Sequence, residues 1–251
     1  MKQSVFISVL ILTAFTVSFL VFEFVFGAEG DSYGLEYIYK GGPLVVVLMT
    51  LSIMVITFIF ERIFSLRQAN GREALPQFLK RVQKGLLEGS AQSAMDVCNQ
   101  QKGSCANILY MGLEAYERAG RLNMTLDKRV SEMKRAMEEA TSLEIPLLER
   151  NLIALSTIAS ISTMVGLLGT TIGMIRAFKA LAHSGAPDAV QLSVGISEAL
   201  INTAGGLFAA IVAIVAYNYF VNKVDTYTYL IDEASYNVAE ILTTRGPEKS
   251  N

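Results

Sequence analysis

Two stretches, Asn151–Ile175 and Ala199–Asn222, carry no charged residue, and each is long enough to cross a bilayer as a helix. A helix that faces only lipid is apolar all round, and neither of these is. On a helical wheel Ser156, Ser160, Thr163 and Thr170 fall on one side of the first, with Gly166 and Gly173 along its edge. On the second, Gly195, Glu198, Asn202, Gly205, Gly206 and Ala209 share one side, with Thr203 at its margin. Small residues let helix backbones approach closely, and hydroxyls and amides find partners between helices. A carboxyl within a membrane segment is costly and faces a protein interior or a water-filled path. Two readings follow, a plain packing face or the lining of an ion path, and the residues alone leave both open.

The rest of the composition suits a membrane protein with a soluble part. The chain has 251 residues, 52% of them hydrophobic, and no Trp, and its mean hydropathy is +0.41. A net charge of −2 gives no reason to expect nucleic acid as a partner. The distribution of charge says more. Between Glu61 and Arg150 lie 14 of the 21 Lys/Arg and 12 of the 23 Asp/Glu, so a charged aqueous domain is inserted between apolar spans. Cys98 and Cys105 fall within it; their spacing, without neighbouring His, is no metal site, and two thiols are no disulfide framework. His183, the one histidine, has no second ligand or base beside it and reads as an ordinary surface residue in a short loop.

In chain order, residues 1–28 form an apolar segment that is either a signal peptide or an extra membrane helix. Residues 29–42 are an acidic, glycine-containing loop, and 43–60 a membrane helix with Pro43 in its first turn. Basic residues after Glu61 place the inner end of that span there, which makes 29–42 periplasmic and 61–150 a cytoplasmic helical domain. Within the domain the expected helices are Pro76–Leu87, Ala91–Gln101, Ser104–Ala119 with a stop at Gly120, and a fourth capped by Thr125. The fourth has Leu126, Val130, Met133, Met137 and Ala140 as its apolar stripe, and Pro146 is expected to kink it without ending it. One helix then enters the membrane at Asn151. The span 151–180, a periplasmic turn 181–189, a span 190–221 and a cytoplasmic C-terminal helix and tail 222–251 complete the chain. Tyr227, Ile231, Ala234, Val238 and Ile241 form a heptad-like stripe on that last helix.

No phosphate loop, dinucleotide fingerprint, H-E-x-x-H, paired-Cys motif or G-x-S-x-G occurs, so the chain reads as no enzyme, with no cofactor or metal. Any energy must come from an ion gradient or a partner. A secondary transporter is expected to show internal repeats, and none is visible.

The string Val165-Gly166-Leu167-Leu168-Gly169-Thr170, followed by Gly173-Met174 and Phe178, resembles the signature of the ExbB/TolQ/MotA family. A second signature of ExbB and TolQ proteins, G-I-x-E-A-L-x-x-T-A-x-G-L, is met by Gly195-Ile196-Ser197-Glu198-Ala199-Leu200-Ile201-Asn202-Thr203-Ala204-Gly205-Gly206-Leu207. The resemblance runs from about Gly41 to Ile241, more weakly in the middle. It implies an all-α integral membrane protein: three family membrane helices, an extra N-terminal apolar helix or signal, and long helices extending into a cytoplasmic helical domain. It further implies an ExbB-like subunit in the bacterial inner membrane, a homo-oligomer of five copies around the membrane helices of an ExbD-like subunit. The membrane Asp of that subunit carries the proton, and the assembly energises a TonB-like protein for outer-membrane transport. The family's functional positions carry over to Thr170, Glu198 and Thr203 as the ion pathway, with Ser156, Ser160, Thr163 and Asn202 as further pore lining. One departure is Thr163, where the family commonly has proline three residues ahead of the first signature glycine; this tells against a flagellar, MotA-like role. A TolQ-like role in envelope integrity shares both motifs. Sodium in place of protons, and a passive scaffold that only packs, stay open beside it.

Overall fold

The computed structural model describes residues 3–27, 36–88, 90–182 and 188–244, and those residues form helices joined by short turns, with no strand among them. His183, most of the expected loop before residue 36 and most of the turn after Ala182 lie outside the described residues. The chain divides into an apolar unit, Met1–Phe60 with Asn151–Tyr219, and a polar unit, Glu61–Arg150 with Phe220–Asn251. Among the described residues four helices are long and apolar enough to cross a membrane. They are the all-α membrane fold expected of the sequence.

In the apolar unit, helix α1 (Gln3–Val21) gives way to a π-helical turn, Phe22–Phe26, closed by the Gly27 amide on the Phe22 carbonyl at 3.1 Å. Ala14, Ser18 and Phe22 are buried, so the N-terminal apolar segment is a packed helix of this unit. Phe22 stacks on Tyr39 of the short helix α2 (Glu36–Tyr39), with ring centroids 4.8 Å apart. Phe22 also clusters with Val45 and Val46 at the start of α3 (Leu44–Asn70) and with Ile201. Beside α1 and α3 lies an apolar cleft of about 550 Å³, lined by Ile11, Phe15, Leu51, Met54 and Ile158 among others.

Two long helices complete this unit, α8 (Leu152–Ala182) and α9 (Ala189–Thr244). Asp188 caps α9, its Oδ1 accepting from the amides of Val190 and Gln191 at 3.0 Å each. The expected single helix through Pro146 into the membrane is corrected. The fourth helix of the polar unit, α7 (Leu126–Glu149), does pass through Pro146, but a break follows at Arg150–Asn151. Asn151 stands at φ 64°, the left-handed region that Asn tolerates better than most residues. The break is therefore made by an asparagine and not by the proline. The reverse holds for α9: in place of the separate C-terminal helix expected after residue 221, one helix of 56 residues runs unbroken to Thr244.

The polar unit is built on α4 (Leu75–Glu88), α5 (Ala91–Gln101), α6 (Ser104–Arg121), α7 and the last part of α9. Its core joins Phe78, Val82 and Leu86 of α4 to Ile108, Leu109 and Leu113 of α6 and Met133 and Met137 of α7. The expected stripe of α7 is buried at Val130, Met133, Met137 and Ala140, and that of α9 at Ile231, Ala234 and Val238. Thr125 is the N-cap residue of α7 by position, though its hydroxyl makes no cap bond. Gly120 does not stop α6; its bare Cα makes room for the Arg129 guanidinium, which lies 4.0 Å from the Tyr116 ring centroid. Arg62, only 1% exposed, is bound on one side by the Glu61 carboxylate and on the other by the Leu148 carbonyl at 3.0 Å. It thus satisfies one of the open carbonyls at the end of α7.

Candidate functional site

Helices α8 and α9 form an antiparallel hairpin whose shared face is nearly free of side chains. Ser162, Gly166, Gly169, Gly173 and Ala177 are among the buried small residues of α8, and Gly195, Ala199, Asn202, Gly206 and Ala209 are buried on α9. A Cβ on Gly173 would lie 2.6 Å from the Gly195 carbonyl oxygen and 2.7 Å from the Ala199 nitrogen. One on Gly206 would lie 2.6 Å from the Ser162 carbonyl oxygen and 2.8 Å from the Gly166 Cα. Gly166, Gly173, Gly195 and Gly206 are therefore where backbone meets backbone, while Gly169 makes room for the Asn202 side chain and Gly205 faces Leu48 of α3.

Toward the end of this hairpin where the two helices are joined sits Glu198. Its side chain is 4% exposed, and both carboxylate oxygens accept from Nη1 of Arg176 on α8 at 2.6 Å. Arg176 is 53% exposed. On the other side Glu198 meets the turn that leads into α3. Gly42 there has φ 72°, and a Cβ on it would fall 2.7 Å from Glu198 Oε1. One helical turn along α9, Asn202 is fully buried and its Nδ2 donates to the Gly41 carbonyl at 2.8 Å and the Glu198 carbonyl at 3.0 Å. Asn202 Oδ1 and Ser162 Oγ are buried with no hydrogen-bond partner among the described residues.

The remaining sequence-identified hydroxyls lie differently. Thr203 is half-buried between the helices, its Oγ1 donating to the Gly166 carbonyl of α8 at 3.3 Å and to Ala199 at 3.1 Å. Thr170 is half-buried and bonds only its own helix, at Leu167 O, 2.7 Å. Ser156, Ser160 and Thr163 likewise bond carbonyls of α8, and Ser160 is exposed. Each such hydroxyl spends its one proton on the helix and keeps lone pairs for another donor. The structure thus brings Glu198 and Asn202 together with Gly41 and Gly42, and Thr203 with Gly166. It leaves Thr170 and Ser160 turned away from that cluster. Arg176 is the site residue that the sequence reading misses; there it is visible only as a basic residue at the outer end of an apolar span.

A polytopic helical membrane protein with a glycine-lined hairpin, hydroxyls at its margin and a paired carboxyl at one end is the class this arrangement defines. Residues 100–233 match the MotA/TolQ/ExbB proton channel family, and the chain belongs to that family. It is 39% identical to the Tol-Pal system protein TolQ of Haemophilus influenzae over 112 residues, 44% of this chain and 49% of that protein. It is 30% identical to a putative biopolymer transport protein ExbB homolog of Methanothermobacter thermautotrophicus over 191 residues, 76% of this chain and 64% of that protein. The chain therefore spans about half to two-thirds of the length of these relatives. The flagellar MotAB stator complex of Bacillus subtilis overlies 92% of this chain and 88% of that one at 17% identity, with a TM-score of 0.47.

Proposed function

We propose that this chain is an ExbB-type subunit of an ion-driven motor in the bacterial inner membrane, one that energises TonB-dependent transport across an outer membrane. The observation that carries this reading is what the hairpin has and what it omits. It has one threonine, Thr203, bonded across the two helices, further hydroxyls along α8, and a carboxyl at its outer end. It has no carboxyl between Leu152 and Ala182 and none from Ala199 to Tyr219. A path with hydroxyls and no carrier of its own calls for a membrane carboxyl from a partner, the part an ExbD-like subunit plays with its Asp.

In this reading five copies of the chain surround the partner's helices, and Thr170, Thr203 and Glu198 face the moving ion. Ser156, Ser160, Thr163 and Asn202 belong to the wider polar lining. A TolQ-type role is the second reading, supported by the 39% identity to a TolQ protein.

Complementation tests the proposal. Expressed with its own partner in a strain lacking ExbB, the chain is expected to restore TonB-dependent uptake, and native mass spectrometry of the purified assembly to give a pentamer. Thr170→Val and Thr203→Val are expected to assemble yet lose uptake, because each swap is near-isosteric and the interhelical bond of Thr203 is worth only about 0.6 kcal/mol. Rescue of a strain lacking TolQ, and not of one lacking ExbB, would give the second reading first place. Full uptake in both valine variants would return the hydroxyls to plain packing.

A further inference from the structure

The pairing of Arg176 with Glu198 is unequal. One guanidinium nitrogen lies 2.6 Å from both carboxylate oxygens, which is where an arriving cation would have to sit. The carboxylate has little other approach. Gly42 closes one side so tightly that a methyl group there would collide with Oε1, and Asn202 ties the adjoining Gly41 carbonyl to α9. Glu198 is a short, buried side chain. Arg176 is long and half in contact with its surroundings, 53% exposed against 4%. Of the two, only Arg176 can leave the contact by rotating its own side chain, without unpacking a helix.

We propose that Arg176 is the outer gate of the ion path: its guanidinium holds the cation position at Glu198, and an ion enters only when it swings away. The inference rests on the ion-transducing reading above. It adds a residue that the two sequence signatures do not include. Resting closure of this kind prevents a gradient from being dissipated when no work is done, because the carboxylate is already neutralised and the guanidinium repels other cations. The glycine pair at 41–42 then has a clear reason. A side chain at Gly42 would push Glu198 off its partner, and φ 72° is in any case a conformation glycine takes most easily.

The test is ion leak in membrane vesicles from cells producing the full chain with the partner that supports uptake. An inward proton gradient is imposed and an internal pH dye followed. Arg176→Gln is expected to raise the resting leak about tenfold, the change in open population that losing one charge-assisted hydrogen bond produces. Arg176→Lys, which keeps a cation in the same place, is expected to bring the leak most of the way back. The double variant Arg176→Gln with Glu198→Gln removes both charges without burying an unpaired one, and is expected to abolish the excess leak. A leak in Arg176→Gln equal to that of the unmodified protein, at equal level of assembled protein in the membrane, would overturn the gate while leaving the motor reading intact. An excess leak that persists in the double variant would also overturn it, since the path would then bypass Glu198. If the unmodified assembly restores no uptake and moves no protons under any gradient, the motor reading fails and the gate fails with it.

Discussion

Both carboxylate oxygens of Glu198 lie 2.6 Å from a single nitrogen of Arg176, yet one partner is buried and the other half-exposed. That inequality decides what each loss costs. In Arg176→Ala a buried carboxylate is left without its counter-charge, an arrangement that costs about 3 kcal/mol or more. In Glu198→Ala the orphaned guanidinium is already half out of the protein and regains solvation, so the cost is about 1 kcal/mol. Thermal unfolding of the two variants in the same detergent checks this. Equal midpoints, or a lower midpoint for Glu198→Ala, would contradict the asymmetry.

Adjacent glycines on α9 give a second contrast. Alanine at Gly206 sets its methyl 2.6 Å from the Ser162 carbonyl oxygen, backbone that can move only if α8 moves. Such overpacking costs about 1–3 kcal/mol. Alanine at Gly205 meets only the Leu48 side chain, at 3.4 Å, and gains up to about 1 kcal/mol of helix propensity. Gly206→Ala is therefore expected to lower the unfolding midpoint and the amount of protein in the membrane, and Gly205→Ala to leave both unchanged or raised.

In the polar unit, burial pushes the thiols of Cys98 and Cys105 up to about 12 from 9.0. At pH 8 both are protonated and enclosed, so a maleimide reagent is expected to label them only after the unit is unfolded. The same shift sets a pH dependence. Below pH 9.0 the folded and unfolded thiols are both protonated and contribute no slope. Between there and about 12 the unfolded thiols ionise while the folded ones hold their protons, so stability falls as pH rises. A double Cys98→Ala, Cys105→Ala variant is expected to lose that part of the alkaline slope in chemical denaturation.

Much of this is legible in the residues, and what is not has definite causes. The wheel of α9 places Gly195, Glu198, Asn202, Gly205, Gly206 and Ala209 together, and all but Gly205, which is half-buried against Leu48, are buried. A one-sided set of small and polar residues has few other ways to pack in lipid. On α8 the buried line runs through Ser162, Gly166, Gly169 and Gly173, beside and not along the Ser156–Ser160–Thr163 row. There the hydroxyls can satisfy themselves on their own helix and need no partner. The helix break at Asn151 carries no proline or glycine to announce it. Arg176 and Glu198, 22 residues apart, and Asn202 and Gly41, 161 apart, meet only because the hairpin has one register and the turn before α3 lies against it. Such pairings are products of packing, and no local pattern encodes them.

The bare face between α8 and α9 has a consequence for movement. An interface of interlocking leucines has rotamers to rearrange and can settle in more than one offset, whereas glycine against backbone has none to rearrange and none to lose in entropy when the pair forms. A slip of one turn, about 5.4 Å, would carry Asn202 away from Gly169, where the absence of a side chain is what leaves room for it. The two helices therefore cannot creep past one another in steps. Any displacement of one is a displacement of both.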